Sequence, residues 1–169
     1  MGYYNTIEAK QTTMTFDYKP LHQNYLLLCE MDLPTPIKSR MLDTIISMWP
    51  GHWRVLGATK AALEEFANND YVKVSGMDIN RSHLTDRIDR NTLLLETPIT
   101  DAEEWWQFVI DNDGTYFATK SENLSDKWSE MVEFTELPDG AFRNAGFGWR
   151  HRKSVEMPYL KALHTAQAV

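Results

Sequence analysis

Glu104-Trp105-Trp106-Gln107-Phe108-Val109-Ile110-Asp111-Asn112-Asp113-Gly114-Thr115-Tyr116-Phe117-Ala118-Thr119 is the stretch on which the architecture turns. Aromatic and β-branched residues flank Asp111-Asn112-Asp113-Gly114, four residues of turn chemistry. Two such runs about a turn predict a β-hairpin. A competing pattern overlaps the first half. Ala102, Trp105, Trp106, Val109 and Ile110 recur at helical spacing, and Thr100 and Glu103 have capping-box spacing. The strand propensity of Gln107-Phe108-Val109-Ile110, followed at once by the turn cluster, favours the hairpin. On a strand Trp105 and Trp106 point to opposite faces, so one enters the core and the other is left for contact.

Outward from this stretch, helical and extended patterns are interspersed. Thr35 and Pro36 open a helix whose Ile37, Met41, Leu42, Ile45, Ile46 and Trp49 form one stripe, stopped by Pro50-Gly51. Thr59 caps a second helix with Ala62, Leu63 and Phe66 inward. Asn80 caps a third through Leu84, Ile88 and Arg90, and Ser121 a fourth through Leu124, Trp128 and Met131. Residues 157–168 predict a terminal helix packed by Leu160 and Leu163. Strands are expected at Tyr25-Leu26-Leu27-Leu28-Cys29, at residues 53–57, 71–75, 92–96 and 132–137, and at 13–18, ended by Pro20. Residues 1–20 read as a loose arm and 141–153 as irregular chain. The whole is one α+β domain over residues 1–169, a mixed or antiparallel sheet with helices packed on it.

Composition bounds the function classes. Of 169 residues, 43% are hydrophobic and 24% charged, the balance of a globular domain. The single Cys29 excludes an intrachain disulfide and a multi-cysteine zinc site. A polar N-terminus and apolar runs too short to span a bilayer predict a soluble, cytoplasmic protein with no membrane partner. No glycine-rich phosphate loop, nucleophile elbow or His-Glu-x-x-His is present, so no cofactor and no metal are expected. The net charge of −7 is uneven: residues 96–133 hold ten carboxylates and two lysines. Cations gather later, with Arg143, Arg150, Arg152 and Lys153 beside His151 and Trp149.

Two functional readings follow. In the first, Glu103, Glu104, Asp111 and Asp113 frame Trp105 and Trp106 as an acidic, aromatic-anchored surface. That describes an interaction protein of inhibitor, immunity or regulatory type, masking a basic surface of a protein partner. In the second, Arg143, Trp149, Arg150, His151, Arg152 and Lys153 bind an anion, and His83 or Glu96 supplies acid–base chemistry. That describes a small enzyme on a nucleotide-derived or phosphate-bearing ligand, and nucleotide or nucleic acid becomes the partner class. His83-Leu84-Thr85 has the His-x-Thr form, but the second motif that two-histidine phosphoesterases require is missing. The neighbours Asp86, Arg87, Asp89 and Arg90 read as a solvated helix face laced with ion pairs. The aromatic content and unpaired strand edges suit a homo-oligomer.

Overall fold

The computed structural model describes residues 16–72, 76–125, 127–138, 141–142 and 153–167. Among the described residues seven helices and four strands run in the order α1 (Lys19–Glu30), α2 (Thr35–Ser47), β1 (Val55–Thr59), α3 (Lys60–Asn68), β2 (Asn80–His83), α4 (Arg87–Glu96), α5 (Ala102–Asn112), β3 (Thr115–Ala118), α6 (Lys120–Ser125), β4 (Met131–Glu133) and α7 (Lys153–Gln167). The fold is α+β with a mixed sheet, strand order β2-β3-β1-β4. β1 and β3 run parallel, while β2 on β3 and β4 on β1 are antiparallel.

The deciding stretch is a helix followed by a strand, and this corrects the expected hairpin. Three local forces favour the helix. The Asp101 carboxylate accepts from the Glu104 N–H at 2.9 Å, capping the first turn. Glu103 and Glu104 complement the positive end of the helix dipole. Trp105 and Val109, four apart, are both fully buried. Only the second half, Thr115–Ala118, is extended, as β3. Asp111 and Asn112 finish the helix rather than turning a hairpin.

Other short apolar runs were also helical. Tyr25-Leu26-Leu27-Leu28-Cys29 belongs to α1, where Leu21, Tyr25 and Leu28 are buried at helical spacing. Pro20 sits in the first turn of that helix, where its missing N–H leaves no bond unmade. Residues 92–96 lie in α4, whereas Asn80, expected to cap a helix, begins β2. Trp128 and Met131 fall beyond the end of α6, and β4 is shorter than the expected strand. Tyr71 and Val72 form no strand, and residues 73–75 of that expected strand lie outside the described residues. Of the expected arm, residues 1–15 lie outside the described residues, whereas Phe16 packs on the helical core and Tyr18 stacks on Trp106 at 5.0 Å.

Two apolar clusters result. One joins the sheet to α3 and α7 through Val55, Ala58, Leu63, Phe66, Phe117 and Leu160. The other joins α1, α2, α4 and α5 through Tyr25, Leu28, Leu42, Ile46, Leu94, Trp105 and Val109. Tyr25 is the pin of the second: its hydroxyl donates to the Leu94 carbonyl at 2.8 Å and accepts from the Ile99 N–H at 2.9 Å. A buried polar seam connects the two clusters.

Candidate functional site

The seam starts where α2 gives way to β1. The Pro50-Gly51 turn brings the chain back through Trp53, whose φ of 59° is left-handed and unusual for a bulky residue. Trp53 is held there by its N–H, which donates to Asp113 Oδ2 at 2.7 Å. His52 Nδ1 lies 3.0 Å from the same oxygen. Asp113 Oδ1 accepts from Arg90 Nη1 at 2.7 Å, and Arg90 Nη2 reaches Asp43 Oδ1 at 2.9 Å. Asn91 extends the chain of bonds to Asp43 and to Ser39. Arg90 and Asp113 have no exposed side-chain surface, so each charge depends on the other for compensation. Burial pushes the Asp113 carboxyl up, but the His52 bond and charge, the Trp53 N–H and Arg90 together hold it below its ordinary value.

Outside this seam lies a cation–aromatic cluster. Arg81 from β2 and Arg87 from the first turn of α4 sit 5.0 and 4.9 Å from the centre of the Trp53 ring. His83, two residues after Arg81 on β2, meets the Trp53 ring edge-on at 4.8 Å. Arg54 follows Trp53 and donates through Nη2 to the Ile110 carbonyl at 2.8 Å. Trp53 Nε1 and His83 Nδ1 in this cluster are buried without a hydrogen-bond partner among the described residues, as are Ser82 Oγ, on the other face of β2, and Arg54 Nη1, whose guanidinium lies 5.2 Å from the Trp49 ring centre. Trp105 and Trp128 are the other described residues that carry such an atom. His83 is kept neutral. Burial and the surrounding Arg87, Arg90 and Arg81 lower its pKa to about 4, against the opposing pull of Asp113. Cations therefore outweigh carboxylates in the field at that ring.

The predicted site residues scatter across this geometry. His83 falls inside the cluster. Glu96 is exposed at the opposite end of α4, about 14 Å from Arg87 by helical rise, so the two expected acid–base residues do not share a site. Glu103, Glu104 and Asp111 are exposed on α5, and none forms an ion pair among the described residues. Glu103 accepts from the Tyr18 hydroxyl. Asp113, expected on the same surface, is instead the centre of the buried seam and cannot reach a partner. Trp105 is core, stacked on Tyr25 at 5.4 Å, and Trp106 is half-buried among Phe16, Tyr18 and Trp49. Arg143, Trp149, Arg150, His151 and Arg152 lie outside the described residues, and Lys153 opens α7.

Arg90, expected on a solvated helix face, is 1% exposed. Its place on the inward side of α4, beside Asn91 and one turn before Leu94, was the available signal. Asp43, Arg54 and Arg81 carried no local signal, because their partners arrive from distant parts of the chain. Among the described residues no group of three His, Cys, Asp or Glu side chains is placed to hold a metal ion. No helix of the described residues is long and apolar enough to cross a membrane. Comparison with protein-family models, with curated proteins and with solved structures finds no match.

Proposed function

We propose that the chain binds a phosphate-bearing anion at the Trp53 face, with His83 as the group that hydrogen-bonds the ligand and exchanges a proton with it. The observation that carries this reading is the coincidence of unpartnered buried donors with a surplus of guanidinium charge around one neutral imidazole. Guanidinium groups recognise phosphate oxygens through paired N–H donors, and Trp53 offers a flat surface held by two of them. The ligand class is the one expected for the enzymatic reading of the sequence; His83 is kept, while Arg81 and Arg87 take the place of the expected basic segment. Titration with inorganic phosphate, pyrophosphate and AMP tests it. His83, followed by NMR and assigned by comparison with His83→Gln, should titrate upward from about 4 as ligand is added, because the anion favours the imidazolium. Arg87→Gln should weaken binding by about tenfold or more, the worth of one charge-assisted hydrogen bond. If none of these anions moves the His83 resonances or quenches Trp53 emission, with Trp53→Phe as the control, the assignment is wrong.

A second reading keeps the acidic interaction protein, now carried by α5 alone. Glu104, Gln107 and Asp111 line its outer stripe with Glu103 on the flank, all exposed and without an ion pair among the described residues. Such a stripe suits a basic protein surface. Capture of a partner that survives Glu103→Gln, Glu104→Gln and Asp111→Asn combined, or that is insensitive to salt, removes this reading.

A further inference from the structure

One imidazole joins the buried seam to the Trp53 cluster. The ring centre of His52 lies 5.3 Å from that of the indole, and its side chain keeps 7% of its surface in solvent. Its Nδ1 is committed to Asp113 Oδ2 at 3.0 Å. An ionised carboxylate accepts hydrogen bonds only, so the proton of a neutral His52 ring sits on Nδ1 and the lone pair on Nε2. That second nitrogen makes no hydrogen bond among the described residues, yet it is not sealed from solvent.

The same carboxylate oxygen fixes what surrounds the ring. Asp113 Oδ2 also accepts from the Trp53 N–H at 2.7 Å, holding that residue at a φ of 59°, a costly backbone for a bulky side chain. Arg90 locks Asp113 from its other oxygen. An ion pair with no exposed surface contributes little net stability over an apolar filling, so stability alone does not account for it. What the pair secures is the orientation of His52 against the indole on which His83, Arg81 and Arg87 gather. A base held at its far nitrogen by a third group is the arrangement that activates an attacking oxygen.

Distance decides what two imidazoles can do together. His52 and His83 both pack on Trp53, at 5.3 and 4.8 Å, so their ring centres are no more than about 10 Å apart. Two hydrogen bonds of about 2.8 Å with a phosphoryl group between them span a gap of that order. One ring then serves the oxygen attacking phosphorus and the other the oxygen leaving it, with guanidinium charge at the remaining oxygens. Resting on the anion-binding reading above, we propose that the Trp53 face hydrolyses a phosphate monoester, with His52 as general base and His83 as general acid. Nε2 of His52 takes a proton from a water whose oxygen bonds to phosphorus. The P–O bond to the alcohol breaks, its electron pair passes to the alcohol oxygen, and that oxygen takes a proton from the His83 imidazolium, the form that a bound anion favours. The products are inorganic phosphate and the alcohol, and solvent returns the proton from His52 to His83.

Hydrolysis of p-nitrophenyl phosphate and phenyl phosphate by the full chain tests the assignment. Both should be turned over at rates that saturate with substrate. His52→Asn keeps an N–H donor for Asp113 near the place of Nδ1 and removes Nε2. It should lower kcat about a hundredfold or more on both esters, while affinity for inorganic phosphate stays within about twofold. His83→Gln should lower kcat about tenfold more on phenyl phosphate than on the p-nitrophenyl ester, whose leaving group departs without a proton. In the unsubstituted chain the nitrogen-15 resonance of His52 Nε2 should move when inorganic phosphate binds, a reading that does not depend on the variant folding. A chain that binds phosphate but hydrolyses neither ester overturns this inference and leaves the binding reading standing. So does turnover undiminished in His52→Asn, or a His52 Nε2 resonance unmoved by bound phosphate. Absence of phosphate binding removes the binding reading, and the hydrolysis with it.

Discussion

At the scale of single residues, two buried carboxylates hold distant parts of the chain together by different means. Asp113 is paired with a buried cation. Asp113→Asn leaves Arg90 with Asp43 as its remaining carboxylate, and should lower the unfolding free energy by about 3 kcal/mol or more in urea titrations. Glu122 forms no ion pair among the described residues and is held there by N–H and O–H donors. Oδ-type charge pairing is replaced there by the hydroxyls of Thr59, Thr119 and Ser129 and the N–H groups of Thr119 and Ser129, which gather the ends of β1 and β3 and the approach to β4. Burial opposes its ionisation, yet the Ser129 and Thr119 bonds and the Thr59 hydroxyl bring its pKa down to about 2. Glu122→Gln turns one acceptor oxygen into a donor facing other donors, and should cost about 2–3 kcal/mol by the same titration. Neither role was legible locally, because Glu122 sits on an ordinary polar helix turn and Asp113 in an ordinary turn cluster.

At the scale of elements, α5 shows where pattern reading went astray. Trp, Phe, Val and Ile favour strands in isolation, and that preference outweighed a helical stripe present in the same residues. Burial reversed the weighting: a four-residue spacing puts Trp105 and Val109 on one side, against Tyr25, while Glu104, Gln107 and Asp111 stay in water. Trp105→Ala should therefore cost about 3–5 kcal/mol of stability, and Trp106→Ala, at a half-buried site, clearly less. Asp101→Ala, which removes the cap, should cost about 1 kcal/mol and lower the thermal midpoint without changing the fold. Where flanking chemistry was explicit the elements were legible. Thr59 opened α3 as expected, its hydroxyl accepting from the Ala62 N–H at 3.1 Å, whereas α2 forms with Pro34 rather than Thr35 at its N-cap and without a side-chain cap bond.

At the scale of the whole molecule, the ionisable groups set a direction for pH dependence. Asp113 and Glu122 have folded pKa values below their ordinary ones, so the stability they contribute is present above the ordinary carboxylate range and is lost as pH falls through the folded values. His83 acts in the same direction over a higher window. Its pKa falls from 6.5 to about 4, so the unfolded chain takes up its proton first and stability declines as pH drops across that interval. Thermal midpoints should therefore decrease steadily on acidification from near neutrality. His83→Gln should flatten the upper part of the curve and Glu122→Gln the part between 4.5 and about 2. A midpoint that rises on acidification anywhere in this range would contradict these assignments.

The α+β class, the helix capped by Thr59 and the concentration of acid in residues 96–133 follow from local composition and spacing, since each is a property of neighbouring residues. Which half of the aromatic stretch became a helix, and which acid went inside, depended on contacts across the fold. Asp113 meets Arg90 over 23 positions and His52 over 61, and Trp105 meets Tyr25 of α1. A buried charge is stable only beside its compensating partner, and that partner is supplied by folding rather than by the neighbouring sequence.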